Sequence, residues 1–253
     1  MALRRPDWIS RWSTDTAAQA GVIGAAWSVA GSLSRGLLPR SPIDQAVATG
    51  VTAAIHYELT ATAWSSLEAI ASIPGTHPGT TARVVVASGA IIGGYGTAFV
   101  TAKAAPHNPA AAIAYAAGRQ IAFAGISGGA ASLWDEVLHK RLHLRPGLDT
   151  TLVPNIITGA AIAAGNVYFS VRRAHKYGVV NPDNHRVAGA NARSLTAATG
   201  IGIASFIGLG TLVVGEQVAA HGLQRLMRAV IRRDPGAAGS FIAHAALLGT
   251  MGL

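Results

Sequence analysis

The chain has no cysteine, so disulfides, thiolate nucleophiles and Cys-ligated metals are excluded, and redox chemistry says nothing about its compartment. Charge is scarce: 12% of residues are Asp, Glu, Lys or Arg, against roughly 25% in soluble domains. Acids are the scarcer sign, 11 against 20 basic residues, for a net charge of +9. Aromatics are few, at 6%, and no basic patch carries interleaved stacking side chains, which argues against a nucleic-acid surface. No glycine loop with phosphate-binding spacing is present.

What remains is apolar and small. Half of the 253 residues are hydrophobic, with Ala and 30 Gly prominent. Seven stretches approach the roughly 20 helical residues needed to cross a hydrocarbon core of about 30 Å: Ala17–Leu38, Ile43–Trp64, Val84–Ala102, Pro109–Trp134, Leu152–Ser170, Ser194–Gly215 and Gly236–Leu253. The expected fold is all-α, one domain over residues 1–253, a polytopic transmembrane bundle of about seven helices in a cell membrane. The longest connection, Val171–Arg193, is too short to fold by itself.

Arg4 and Arg5 precede the first apolar run, but Asp7, Arg11 and Asp15 intervene and no small-x-small site ends it, so a retained helix is expected rather than a cleaved signal. Trp8 and Trp12 suit a headgroup-level lead. Lys and Arg divide nearly evenly between the two sides, with a slight excess on the N-terminal side, and leave orientation open. From Glu216 to Arg233, Val218, Leu223, Leu226, Met227 and Val230 recur at helical spacing among Arg225, Arg228, Arg232 and Arg233. This is either an amphipathic helix lying on headgroups or an extension of the sixth span, and both put arginines near anionic lipid.

The segment Ser34–Tyr57 reads SRGLLPRSPIDQAVATGVTAAIHY. Its Leu37, Leu38, Pro39, Arg40, Gln45, Gly50 and Tyr57 resemble, without a gap, the entry to the second membrane helix in the N-terminal membrane region of a bacterial family of α/β-hydrolases. Two positions depart from that pattern, where His56 and Glu58 replace small residues. The resemblance implies a membrane region that anchors or presents a lipid- or ester-active enzyme, with the hydrolase domain a partner outside these 253 residues. No catalytic machinery and no cofactor are expected within them. Independently of any family, Pro39 ends the first helix, Pro42 suits the start of the next, and Arg40 in the corner can cap free carbonyls or meet a lipid phosphate.

Ionisable groups at membrane depth each cost about 2.5–3.5 kcal/mol on insertion scales and need a partner or water. Glu58 and Arg119 fall well inside their spans and are expected to pair; Asp44 shares a helical face with Glu58. With His56, Asn155 and Asn166 these groups could line a polar cavity, the basis of an alternative reading as a small transport or lipid-handling protein. The other partners to expect are membrane lipids and a second copy of the chain.

Gly125-Ile126-Ser127-Gly128-Gly129 fits both G-x-S-x-G and G-x-x-x-G. Within an apolar span the packing reading dominates, with Gly125 and Gly129 admitting a neighbouring helix, and Gly89 with Gly93 repeats the spacing. A remote alternative makes Ser127 and His244 an intramembrane serine hydrolase pair of the rhomboid type. His139 and His143 stand four apart, but Lys140 and Arg141 lie between them and no third ligand is evident, so no metal site is expected.

Overall fold

Asp15 begins the first helix by capping it: its Oδ1 accepts from the Ala17 and Ala18 amides at 2.9 and 3.4 Å. The computed structural model describes residues 15–32, 42–72, 77–145, 147–176 and 236–251, with shorter pieces between 215 and 232. Among these, α1 spans Thr16–Ser32, α2 Pro42–Ala71, α3 Thr80–Thr101, α4 Pro109–Trp134, α5 Leu148–Lys176 and α6 Gly236–Met251. The described residues are all-helical, with no strand.

α1 is apolar or small on every side, and residues 16–25 are all buried, as a helix at the centre of a bundle must be. It contacts α2, α4 and α5, while α3 packs mainly on α4 and α6 on α2. The interior is built largely of alanine around a few large side chains. Ala18, Val22, Ala25, Ala53 and Tyr57 form one cluster, and Ala17, Ala20, Trp64 and Ala87 another.

Small residues set the helix separations. A Cβ on Gly94 would lie 2.5 Å from the Gly118 carbonyl oxygen, and one on Gly125 would lie 2.8 Å from that of Ala87, so the α3 and α4 backbones touch in an antiparallel hairpin. A Cβ on Gly128 would fall inside the Trp64 indole. Gly125 and Gly129 therefore do face a neighbour, α3. Gly89 and Gly93 do not: they are exposed with open space beside them, and the packed face of α3 is Ala87, Ala90, Gly94 and Ala98. The G-x-x-x-G spacing gave the right kind of contact on α4 and the wrong face on α3, where the i, i+3, i+7, i+11 alanine and glycine series is the stripe that packs.

Asn108 caps α4 by accepting from Ala110 and Ala111 at 2.9 and 3.3 Å, with Pro109 at the first helical position. At its other end α4 continues as a π-helical turn, Asp135–Arg141, closed by the Leu142 amide on the Val137 carbonyl at 3.0 Å. Its acids lead and its bases follow, so Asp135–His139 and Glu136–Lys140 meet at i, i+4. His143, at φ 55°, turns the chain out.

The outside is the opposite of the inside. Phe99 is 84% exposed, Ile70 83% and Ile92 75%, and Val51, Val85, Ile113, Ile157 and Ile242 are exposed as well. By length and composition one described helix, α3, is apolar enough to cross a bilayer. The expected sixth span, 194–215, lies outside the described residues apart from Gly215, and so does the Leu37–Arg40 corner. Within 216–233 the described part is helical over 222–230, with Leu226 and Val230 exposed beside Arg225 and Arg228.

Candidate functional site

Three polar groupings stand out, and each is assembled by helix packing. The deepest joins α2 to α6. Glu58 and His244 are fully buried, and His244 Nδ1 lies 3.6 Å from Glu58 Oε2. Burial of two ionisable side chains at ion-pair distance is costly unless each stabilises the other. A second buried contact ties α1 to α5, where Asn155 Nδ2 donates to the Thr151 carbonyl at 2.8 Å and reaches Gln19 Oε1 at 3.5 Å.

The second grouping closes one end of the bundle. Glu68, one turn beyond the expected span, accepts from Thr16 at 2.7 Å and from Arg83 Nε at 2.6 Å, linking α1, α2 and α3. Burial pushes its carboxyl above the ordinary range, against the opposing pull of Arg83 and Thr16. At the same end, Thr80 donates to Glu136 Oε2 at 3.1 Å and accepts from Lys140 at 2.6 Å, while Lys140 and Arg141 approach the same carboxylate at 3.2 and 3.7 Å. Those bonds, led by the Lys140 contact and then Thr80, hold Glu136 below its ordinary value.

The third is a cleft of about 340 Å³ between α1, α3, α4 and α5, lined by Trp27, Tyr95, Tyr115, Ala116, Arg119, Gln120, Phe123 and Asn166. Trp27 forms its aromatic floor, with Phe123 tilted against it at 4.6 Å and His56 edge-on behind it at 5.2 Å. Arg119 lies over the Tyr115 ring at 5.7 Å and reaches its hydroxyl at 3.5 Å. Cation–π contacts of this kind contribute roughly 0.5–1 kcal/mol at exposed sites.

The expected Glu58–Arg119 pair is therefore replaced by two separate contacts. Glu58 turns to His244, while Arg119 is exposed and turns to Tyr115. The expected polar cavity is also divided, because Arg119 and Asn166 share the cleft, His56 sits behind Trp27, and Asn155 belongs to the α1–α5 contact. Of the Leu37–Tyr57 motif, Tyr57 is a core residue whose ring packs over Gly21, Gly50 is exposed, and the side chains of Asp44 and Gln45 lie outside the described residues.

Ser127 is buried in mid-α4, so its surroundings are helix and not the strand, turn and helix of a nucleophile elbow. Its Oγ has no hydrogen-bond partner among the described residues, the His244 imidazole included. His139 meets Asp135 at 3.0 Å, and His143 Nδ1 meets the Arg141 carbonyl oxygen at 3.0 Å, so the two rings take different partners.

Sequence reasoning missed the His244 partner of Glu58, whose helix lies at the far end of the chain. It also missed the cleft aromatics, although Tyr115, Arg119 and Phe123 at i−4, i and i+4 form a ladder on one helical face that the spacing alone displays. No family model matches the chain, and neither curated proteins nor solved structures match it.

Proposed function

We propose that the chain is a polytopic membrane-embedded helical domain that acts as a scaffold, anchoring or presenting a lipid- or ester-active enzyme of the α/β-hydrolase type. The observation that carries the membrane part is the partition of side chains. Large aliphatic groups such as Ile70, Ile92 and Phe99 face outward, while the fully buried set includes Gln19, Glu58, Asn155 and His244 among small residues. In water that arrangement exposes apolar surface and buries polar groups, both unfavourable; in lipid it is the favourable one. Hydropathy averaged along α2 is lowered by His56, Glu58 and Glu68, yet Val47, Val51 and Ile55 on its exposed side remain aliphatic.

The scaffold part rests on the resemblance of Leu37–Tyr57, together with a serine at position 127 that has no activating base beside it. The test is in two arms. Expressed chain should stay with membranes through an alkaline carbonate wash and come free only with detergent; release by carbonate contradicts the membrane reading. Detergent-purified chain should not be labelled by a fluorophosphonate, and labelling that disappears in Ser127→Ala would contradict the scaffold reading in favour of an intramembrane hydrolase.

A second reading, lipid handling, is favoured by one specific observation, the Arg119 cleft.

A further inference from the structure

The Arg119 cleft has a chemistry that its own walls do not satisfy. Among the described residues no acidic side chain lines it. Among the described residues the guanidinium meets only the hydroxyl and ring of Tyr115, leaving most of its five donors open. Beside it, Gln120 Nε2 is shielded from solvent and has no acceptor among the described residues, and Asn166 adds a further amide on the opposite wall. Unsatisfied donors around one permanent cation specify an anion with several acceptor oxygens, and a guanidinium favours phosphate because it can bond two of its oxygens at once.

The cleft's position says what the anion is attached to. Arg119 is 10 residues beyond Pro109, about 15 Å along the helix, and its contact with Tyr115 turns it back one turn towards the Asn108 end. A volume of about 340 Å³ sits at the small end of ligand sites, roughly 300–1,000 Å³, enough for a headgroup and not for acyl chains as well. Tyr95 on the rim belongs to the same face of α3 as Ile92 and Phe99, which are exposed and without cover. The polar cleft thus opens onto an aliphatic strip.

We propose that this cleft binds the phosphate headgroup of an anionic phospholipid, with Arg119 pairing to the phosphate, Gln120 and Asn166 donating to its oxygens, and an acyl chain running from Tyr95 along Ile92 and Val85 towards mid-helix. The inference rests on the membrane reading above and gives that domain a lipid-selective site. Arg119 is the specificity-determining residue; the aromatic floor of Trp27 excludes water beneath the headgroup.

The test is thermal unfolding of the chain in a neutral detergent, titrated with short-chain phosphatidylglycerol, with short-chain phosphatidylcholine and with inorganic phosphate. Phosphatidylglycerol should raise the melting temperature in a saturable way, with at least a tenfold weaker apparent affinity in Arg119→Gln and a partial recovery in Arg119→Lys. The ligand-free melting temperature of each variant reports whether it is folded. Equal binding by Arg119→Gln, or no shift with phosphatidylglycerol, overturns the site. Equal binding of phosphatidylcholine overturns its requirement for a net negative headgroup, and saturation by inorganic phosphate at the same concentrations overturns the lipid source. A chain that survives the carbonate wash and shows no Arg119-dependent binding refutes this site alone, whereas release by carbonate refutes the membrane reading and the lipid source with it.

Discussion

Glu58 and His244 lie 3.6 Å apart with neither side chain exposed, so truncating one leaves the other in a low-dielectric interior without its counterpart. Losing one member of such a pair costs about 3–5 kcal/mol. Glu58→Ala and His244→Ala should each lower the unfolding midpoint in detergent, and the double variant should lose less than the sum. A coupling energy of about 0.5–3 kcal/mol is expected for groups in contact, whereas Glu58→Ala combined with Arg119→Ala should be additive. Additivity in the first cycle, or coupling in the second, would reverse the assignment of partners. The sequence displayed each of these charges and the need for partners, but not who meets whom. That depends on the rotation of each helix about its axis, and Ala-rich helices with small residues all round, α1 above all, give a hydrophobic pattern little phase to read. Tyr57, by contrast, was singled out by the motif and proves to be a core side chain against Gly21.

At the scale of elements, the α3–α4 hairpin is held by backbone approach, and its two glycine faces should respond with opposite sign. Gly94→Ala forces a methyl against the Gly118 carbonyl and the Ala122 backbone, an overpacking that typically costs 1–3 kcal/mol. Gly93→Ala meets nothing and should stabilise the helix by roughly 0.5–1 kcal/mol through its smaller unfolded-state entropy. Melting curves of the two variants decide this, and an equal loss in both would mean that both faces are packed.

The far end of the same hairpin carries a pH dependence. The Lys140 and Thr80 bonds hold Glu136 below its ordinary value of 4.5 in the folded chain. Their contribution is therefore fully present above that value and is lost as the pH falls through the depressed folded value. Glu68 has the opposite sign, being raised by burial: its contribution is present in acid and lost as the pH rises through the raised value. The two are separated by comparing wild type with Glu136→Gln, which should lose stability less steeply between pH 6 and pH 3; an unchanged slope would exclude the Glu136 link. Element positions were largely legible in the sequence. The expected 109–134 span coincides with α4, and 84–102 starts four residues after α3 begins and ends one residue beyond it. Ends were not: α2 runs through Glu68 to Ala71 because that acid finds Arg83 and Thr16, and the π-turn after Trp134 continues a helix where apolarity stops.

For the whole molecule, the account turns on which solvent the outer surface meets. Hydropathy along the chain suggested seven crossings, yet one described helix passes a strict length-and-apolarity criterion. α1 and α6, at 17 and 16 described residues, fall short of the length, and inward-facing polar residues such as Glu58 lower the average along α2 without changing its outer surface. The decisive quantity is therefore the polarity of each face. The absence of cysteine makes that measurable, since single cysteines can be introduced and spin-labelled against a silent background. Labels at Val85, Ile92 and Phe99 on the exposed face of α3 should, in reconstituted bilayers, collide readily with oxygen and hardly at all with a water-soluble nickel chelate, with the contrast greatest at Ile92 near mid-helix. Strong collision with the nickel chelate at all three positions would place that face in water and contradict the membrane-domain account.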